Sequence, residues 1–120
     1  MIELFEIEGG VTLRGYRTSG SRPGPHVLIT AGIHGSEYPG ILAARKLRAF
    51  LSQADIAGTV TVLPLCNPTA LKERTKAIFP EDGKNLNRMF PGNPEGSASE
   101  KTAWAITQLQ DEADFYIDLH

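Results

Sequence analysis

Val27-Leu28-Ile29-Thr30-Ala31 is an unbroken apolar run, and a second strand-like segment, Thr59-Val60-Thr61-Val62-Leu63-Pro64-Leu65, follows after an amphipathic stretch. This order constrains the fold more than any other feature. A strand that is apolar on successive residues has both faces to cover, as strands of parallel sheets do. Between the two segments, from near Ser36 to Gln53, Ile41, Ala44, Leu47 and Leu51 fall on one helical stripe while Arg45, Arg48 and Ser52 face away. Further on, Ser97-x-x-Glu100 reads as a capping box. It opens a helix whose face carries Ala103, Ile106, Leu109 and Ala113, and Asp114 to Leu119 reads as a last strand. At the start, Leu4 to Glu8 and Val11 to Thr18 straddle Gly9-Gly10 as a hairpin, and Thr18 to Pro25 reads as a loop. Strands alternating with amphipathic helices predict an α/β fold, a three-layer sandwich around a mixed, largely parallel sheet.

The length of 120 residues gives room for one domain. A hydrophobic share of 41% with 22% charged residues places the chain among soluble globular proteins. The net charge is −2 and no basic stripe is present, which argues against a nucleic-acid partner. No apolar run is long enough to span a bilayer, so no membrane partner is expected. Met1-Ile2-Glu3-Leu4-Phe5-Glu6 lacks the basic and apolar regions of a signal peptide, and the single Cys66 cannot form an internal disulfide. Both fit a cytoplasmic protein. Beside Leu63-Pro64-Leu65, Cys66 reads as a buried structural thiol.

His34 and Glu37 stand three residues apart just after the first apolar run, and His120 stands at the end of the last strand. Zinc takes imidazole nitrogen and carboxylate oxygen, and a catalytic site uses three protein ligands with one open position. In open α/β sheets ligands gather beyond the carboxyl ends of strands, where both segments end. His-x-x-Glu also occurs by chance in many chains, so an unrelated α/β domain stays open on these residues alone. His26, after a Pro/Gly loop, reads as an ordinary surface residue.

From Asn67 to Gly96 the pattern is irregular, and long stretches of that kind are functional or disordered. Asn87 and Arg88 set an amide beside a guanidinium suited to bidentate carboxylate recognition. A solvated loop with a weak surface ion pair is the plainer alternative.

His34-Gly35-Ser36-Glu37, Asn85-Leu86-Asn87-Arg88-Met89-Phe90-Pro91-Gly92 and Asp118-Leu119-His120 occur in this order. Together they resemble the succinylglutamate desuccinylase/aspartoacylase family, which groups with the zinc carboxypeptidases. The resemblance implies a zinc carboxypeptidase-like fold and one zinc ion per chain, held by His34, Glu37 and His120. It implies that Asn87 and Arg88 hold a substrate carboxylate and that Arg74 polarises the scissile carbonyl, with Lys76 as the competing candidate. Asn85 stands where relatives often carry Asp, and its amide oxygen can orient the first zinc histidine without charge.

The resemblance further implies a zinc-dependent amidohydrolase acting on an N-acyl amino acid or related small carboxylate. Its general base is expected to be a Glu beyond the third ligand. Residues 1–120 are then the N-terminal part of a single catalytic domain, ending at the third ligand, inactive alone and with an uncovered sheet edge. A homo-oligomer is compatible with that edge. The rival readings are a metallocarboxypeptidase acting on short peptides and a non-catalytic zinc-binding module.

Overall fold

The two segments become neighbouring parallel strands in the computed structural model, which describes all of residues 1–120. Strand β3 (Arg22–Ala31) lies beside β4 (Ala57–Leu63), with Val27 opposite Val60 and Ile29 opposite Val62. Helix α1 (Tyr38–Leu51) makes the crossover. The last strand, β7 (Phe115–Leu119), joins the other side of β3 in parallel, setting Thr30 opposite Asp118. The hairpin β1 (Ile2–Glu8) and β2 (Thr12–Ser19) adds antiparallel to β4, completing the order β1-β2-β4-β3-β7.

Side chains alternate across a strand, so consecutive residues feed opposite layers. Leu63 joins Leu13, Ile33, Phe79, Leu86 and Ile106 beneath helix α3 (Ala98–Glu112). Its neighbour Val62 joins Tyr16, Ala31, Ala44 and Leu51 beneath α1. Helix, sheet and helix thus form three layers, and the mixed α/β sheet expected from the sequence is present. The Tyr16 hydroxyl donates to the Ala44 carbonyl and pins α1 to the hairpin. Burial pushes the Tyr16 phenol up to about 12, with the Arg48 guanidinium pulling the other way.

Three local expectations are corrected. The predicted loop Thr18 to Pro25 shrinks to Gly20 and Ser21, because β3 already starts at Arg22. Pro23 and Pro25, which cannot donate to a ladder, fall where the β3–β4 register shifts between Arg22 and His26. His26 is no ordinary surface residue. Its Nε2 lies 2.7 Å from Thr61 Oγ1, its Nδ1 lies 3.2 Å from the Glu112 carbonyl, and its backbone N–H donates to Asp114 at 2.8 Å. The side chain ties β3 to β4 and to the end of α3.

The irregular stretch after Asn67 is also better ordered than its pattern indicates. It contains helix α2 (Pro68–Glu73), a two-residue hairpin of β5 (Ile78–Phe79) and β6 (Lys84–Asn85), and a 3-10 turn, Leu86–Arg88. Phe79 and Leu86 are fully buried and anchor it. Asp82 docks it on α3: one carboxylate oxygen accepts from Ser97 Oγ at 2.7 Å, Ser99 N at 2.7 Å and Ser99 Oγ at 2.5 Å. The Glu100 carboxylate reaches back to the Ser97 N–H at 3.3 Å, as the capping pattern predicts. Cys66 is buried as expected. At the outer edge of β7, Phe115 is 62% and Ile117 47% exposed, an apolar edge of the kind that invites association.

Candidate metal centre

His34 leaves the C-terminal end of β3 on a tight turn. Gly32 has φ +68°, a backbone state that side chains rarely adopt. At Gly35 an added Cβ would stand 2.5 Å from the Leu71 nitrogen, so only glycine lets the turn pass α2. Glu37 is the N-cap residue of α1, yet its side chain makes no capping bond and is free to turn elsewhere. It turns to His34: Glu37 Oε2 lies 3.0 Å from His34 Nδ1 and 3.9 Å from His120 Nε2. The two imidazole rings meet edge to face with centroids 4.9 Å apart. One ligand atom from each of His34, Glu37 and His120 falls within 4.8 Å of the others. The three residues read from spacing therefore converge.

Proton accounting shows what this cluster lacks. Asn85 Oδ1 accepts the Asn87 backbone N–H at 3.0 Å, so it is the carbonyl side of the amide that faces His34 Nε2 at 2.9 Å. Nε2 must then carry the hydrogen, which leaves the Nδ1 lone pair of a neutral His34 aimed at a carboxylate oxygen. Two acceptors at that distance repel unless a proton or cation lies between them. The other Glu37 oxygen, Oε1, is buried without a hydrogen-bond partner. A buried carboxylate oxygen left unpaired is costly. Both defects are removed by a cation, and a set of two nitrogens and a carboxylate suits zinc.

His120 is held by a residue that spacing alone did not single out. Its Nδ1 lies 2.8 Å from Asp118 Oδ2, and Thr30 Oγ1 donates to Asp118 Oδ1 at 2.6 Å. Thr30 has one hydroxyl proton, and with that proton spent on Asp118 the Tyr116 hydroxyl donates to Thr30 at 2.6 Å. The hydrogen bond to Asp118, helped by the charges of Glu37 and Asp118 and opposed by partial burial, raises the His120 pKa. The signal was available: on a strand, Asp118 and His120 share a face.

The remaining expected residues lie around this centre without closing on it. Arg74 and Lys76 share a cleft of about 230 Å³ with Gly35, Ser36 and Tyr38, beside the turn that carries His34 and Glu37. They are the only non-glycine residues with positive φ, at 58° and 59°, a conformation costing about 1–2 kcal/mol per residue. Asn87 lines a second cleft, of about 250 Å³, with Ile33 and Asp118. Arg88 ends the 3-10 turn, exposed to solvent. Neither Arg74 nor Arg88 is in a salt bridge, so the plainer surface-pair reading of Arg88 finds no partner. The largest cleft, about 590 Å³ between the hairpin and Arg48, touches none of these residues.

Comparison with known proteins follows the same lines. Residues 23–120 match the succinylglutamate desuccinylase/aspartoacylase catalytic domain. Over 98 residues the chain is 44% identical to an N-alpha-acetyl-L-2,4-diaminobutyric acid deacetylase of Halomonas elongata, covering 81% of the chain and 28% of that relative. Among solved structures, an aspartoacylase family protein of Mesorhizobium loti superposes with a TM-score of 0.88 at 36% identity, over 100% of this chain and 40% of that one. The product-bound ectoine utilization protein EutE (DoeB) of Ruegeria pomeroyi gives 0.84 at 29% identity, over 98% and 39%. A metallo-carboxypeptidase of Pseudomonas aeruginosa, at 0.69 and 15% identity over 99% and 35%, shares the fold. The chain thus spans well under half the length of these relatives. With most of its length matched, the chain belongs to the succinylglutamate desuccinylase/aspartoacylase family.

Proposed function

We propose that the protein is a zinc-dependent amidohydrolase that removes the acyl group from a small N-acyl amino acid. The observation that carries this reading is the convergence of His34, Glu37 and His120, with an unpaired buried oxygen on Glu37. These three residues would hold the metal. Zinc in such a site supplies Lewis-acid polarisation and activates water. Asn85 fixes the tautomer of His34 so that Nδ1 faces the centre, and Asp118 does the corresponding work for His120. Arg74, in the cleft beside the metal turn, faces the carbonyl oxygen of the bound amide and stabilises the negative charge that develops there. Asn87 and the unpaired Arg88 take the substrate's free carboxylate and orient the amide. The proton of the attacking water needs a general base, and no group within residues 1–120 is assigned that role.

The 44% identity to a deacetylase of an N-acetylated amino acid favours this substrate class. Likeness to a metallo-carboxypeptidase at 15% identity supports the fold and does not by itself favour peptides. The assay uses a protein that carries these residues together with the region its relatives have in addition, and offers it N-acetyl amino acids, N-succinyl amino acids and short peptides. The reading predicts hydrolysis of N-acyl amino acids, lost on chelation and restored by zinc. Cleavage of peptides alone assigns the carboxypeptidase activity instead, and turnover that survives complete metal removal rules the mechanism out.

A further inference from the structure

Asn67 is fully buried, yet it does not cap the helix it precedes. Its Nδ2 instead donates to the Ile33 carbonyl at 3.3 Å, immediately before His34 in the chain. Its Oδ1 is buried with no partner. A side chain with an orphaned acceptor is a poor choice for core packing, since an unsatisfied buried polar atom costs about 1–3 kcal/mol. What it contributes is the donor. The same segment holds the turn at two more points. The Cys66 N–H donates to the Ala31 carbonyl at 2.9 Å, and the Gly35 N–H donates to the Lys76 carbonyl at 2.9 Å. Residues 31, 33 and 35 are therefore each fixed by the stretch that follows β4. Of these three bonds only that of Asn67 is made by a side chain, so only this one is set by residue identity.

We propose that Asn67 is a positioning residue for the metal centre, setting the direction in which His34 and Glu37 leave β3. The proposal rests on the assignment of His34, Glu37 and His120 as zinc ligands. Without the bond, the Ile33 peptide is free to rotate, and rotation there swings the His34 Cα–Cβ vector relative to β7 and His120. The ligands still exist but no longer meet at one point. Groups that orient metal ligands are commonly worth about 10–100-fold in metal affinity.

The test uses zinc titration and the visible spectrum of the cobalt-substituted protein, neither of which requires turnover. Asn67→Asp is nearly isosteric but loses the donor, and Asn67→Ala, smaller, uncharged and without any side-chain donor, serves if the aspartate variant does not fold. Leu51→Ala, at the far end of α1, controls for lost stability without touching the turn. The expected result is zinc affinity lowered about 10–100-fold and an altered cobalt spectrum in the Asn67 variants. The Leu51→Ala protein melts lower but keeps both wild-type affinity and spectrum. A folded Asn67 variant that binds zinc as tightly as wild type, or an equal loss of affinity in Leu51→Ala, overturns the proposal while leaving the metal assignment standing. A wild-type protein that binds no zinc overturns both.

Discussion

Replacing Asp82 by Ala tests how the loop bearing Asn85, Asn87 and Arg88 is fixed to the rest of the fold. One Asp82 oxygen accepts three bonds from Ser97 and Ser99 at 2.5–2.7 Å, and the other accepts the Lys84 N–H at 3.0 Å. It thereby caps α3 from outside the helix. Loss of a side-chain cap costs about 0.5–2 kcal/mol. Leaving the buried Ser99 N–H without a partner adds on the order of 1 kcal/mol. The sum is about 1.5–3 kcal/mol, which lowers the melting temperature of a domain this size by roughly 10 °C. The pH dependence supplies a second signature. Partial burial raises the Asp82 pKa, but the bonds from Ser99, Ser97 and Lys84 outweigh it and hold the carboxyl below its ordinary value. A depressed folded pKa gives stability that is complete above the unfolded value, near ~3.9, and is lost as pH falls through the folded one. Melting curves followed by circular dichroism from neutral pH down to about pH 3 should show the gap between wild type and Asp82→Ala narrowing on acidification. A gap that stays constant, or a variant as stable as wild type at pH 7, would refute the capping argument.

Asn85→Leu should weaken zinc binding about 10–100-fold by freeing the His34 tautomer, while Asn85→Asp should bind at least as tightly as wild type, both read by competitive chelator titration. In a protein that carries these residues together with the region its relatives have in addition, Arg88→Ala should reduce kcat/KM for a substrate with a free α-carboxylate far more than for its amide analogue, because only the former loses a charge-assisted pair. Equal losses on the two substrates make Arg88 structural. Arg74→Ala should lower kcat more than it changes KM, since its contact strengthens as charge develops on the carbonyl oxygen; a change in KM alone removes it from that role.

The layers were legible because periodicity reports burial directly. Ile41, Ala44 and Leu51 face the sheet as their spacing requires, and Ala103 and Ile106 do the same from α3. The convergence of His34, Glu37 and His120 was legible because His34 and His120 follow parallel strands, and such strands deliver their C-terminal residues to one edge. The loop was not legible, because its order comes from contacts far apart in sequence. Asp82 reaches Ser99, and Phe79 and Leu86 bury against α3 residues such as Ile106. No local pattern encodes such pairings. Asn67 was overlooked and Asp118 was given no role of its own for a related reason: each acts through a neighbour, Ile33 or His120. His26 misled because a histidine after prolines looks exposed, whereas its partners Thr61 and Glu112 come from other elements.

The central claim is that one cation belongs between His34, Glu37 and His120. Anomalous diffraction at the zinc edge, on crystals of the protein grown with zinc, tests it most directly. The account predicts one strong peak at about 2.0–2.2 Å from His34 Nδ1, from a Glu37 oxygen and from a His120 ring nitrogen, and its loss in His34→Ala. A peak elsewhere, or a peak at this site that persists in His34→Ala, contradicts it.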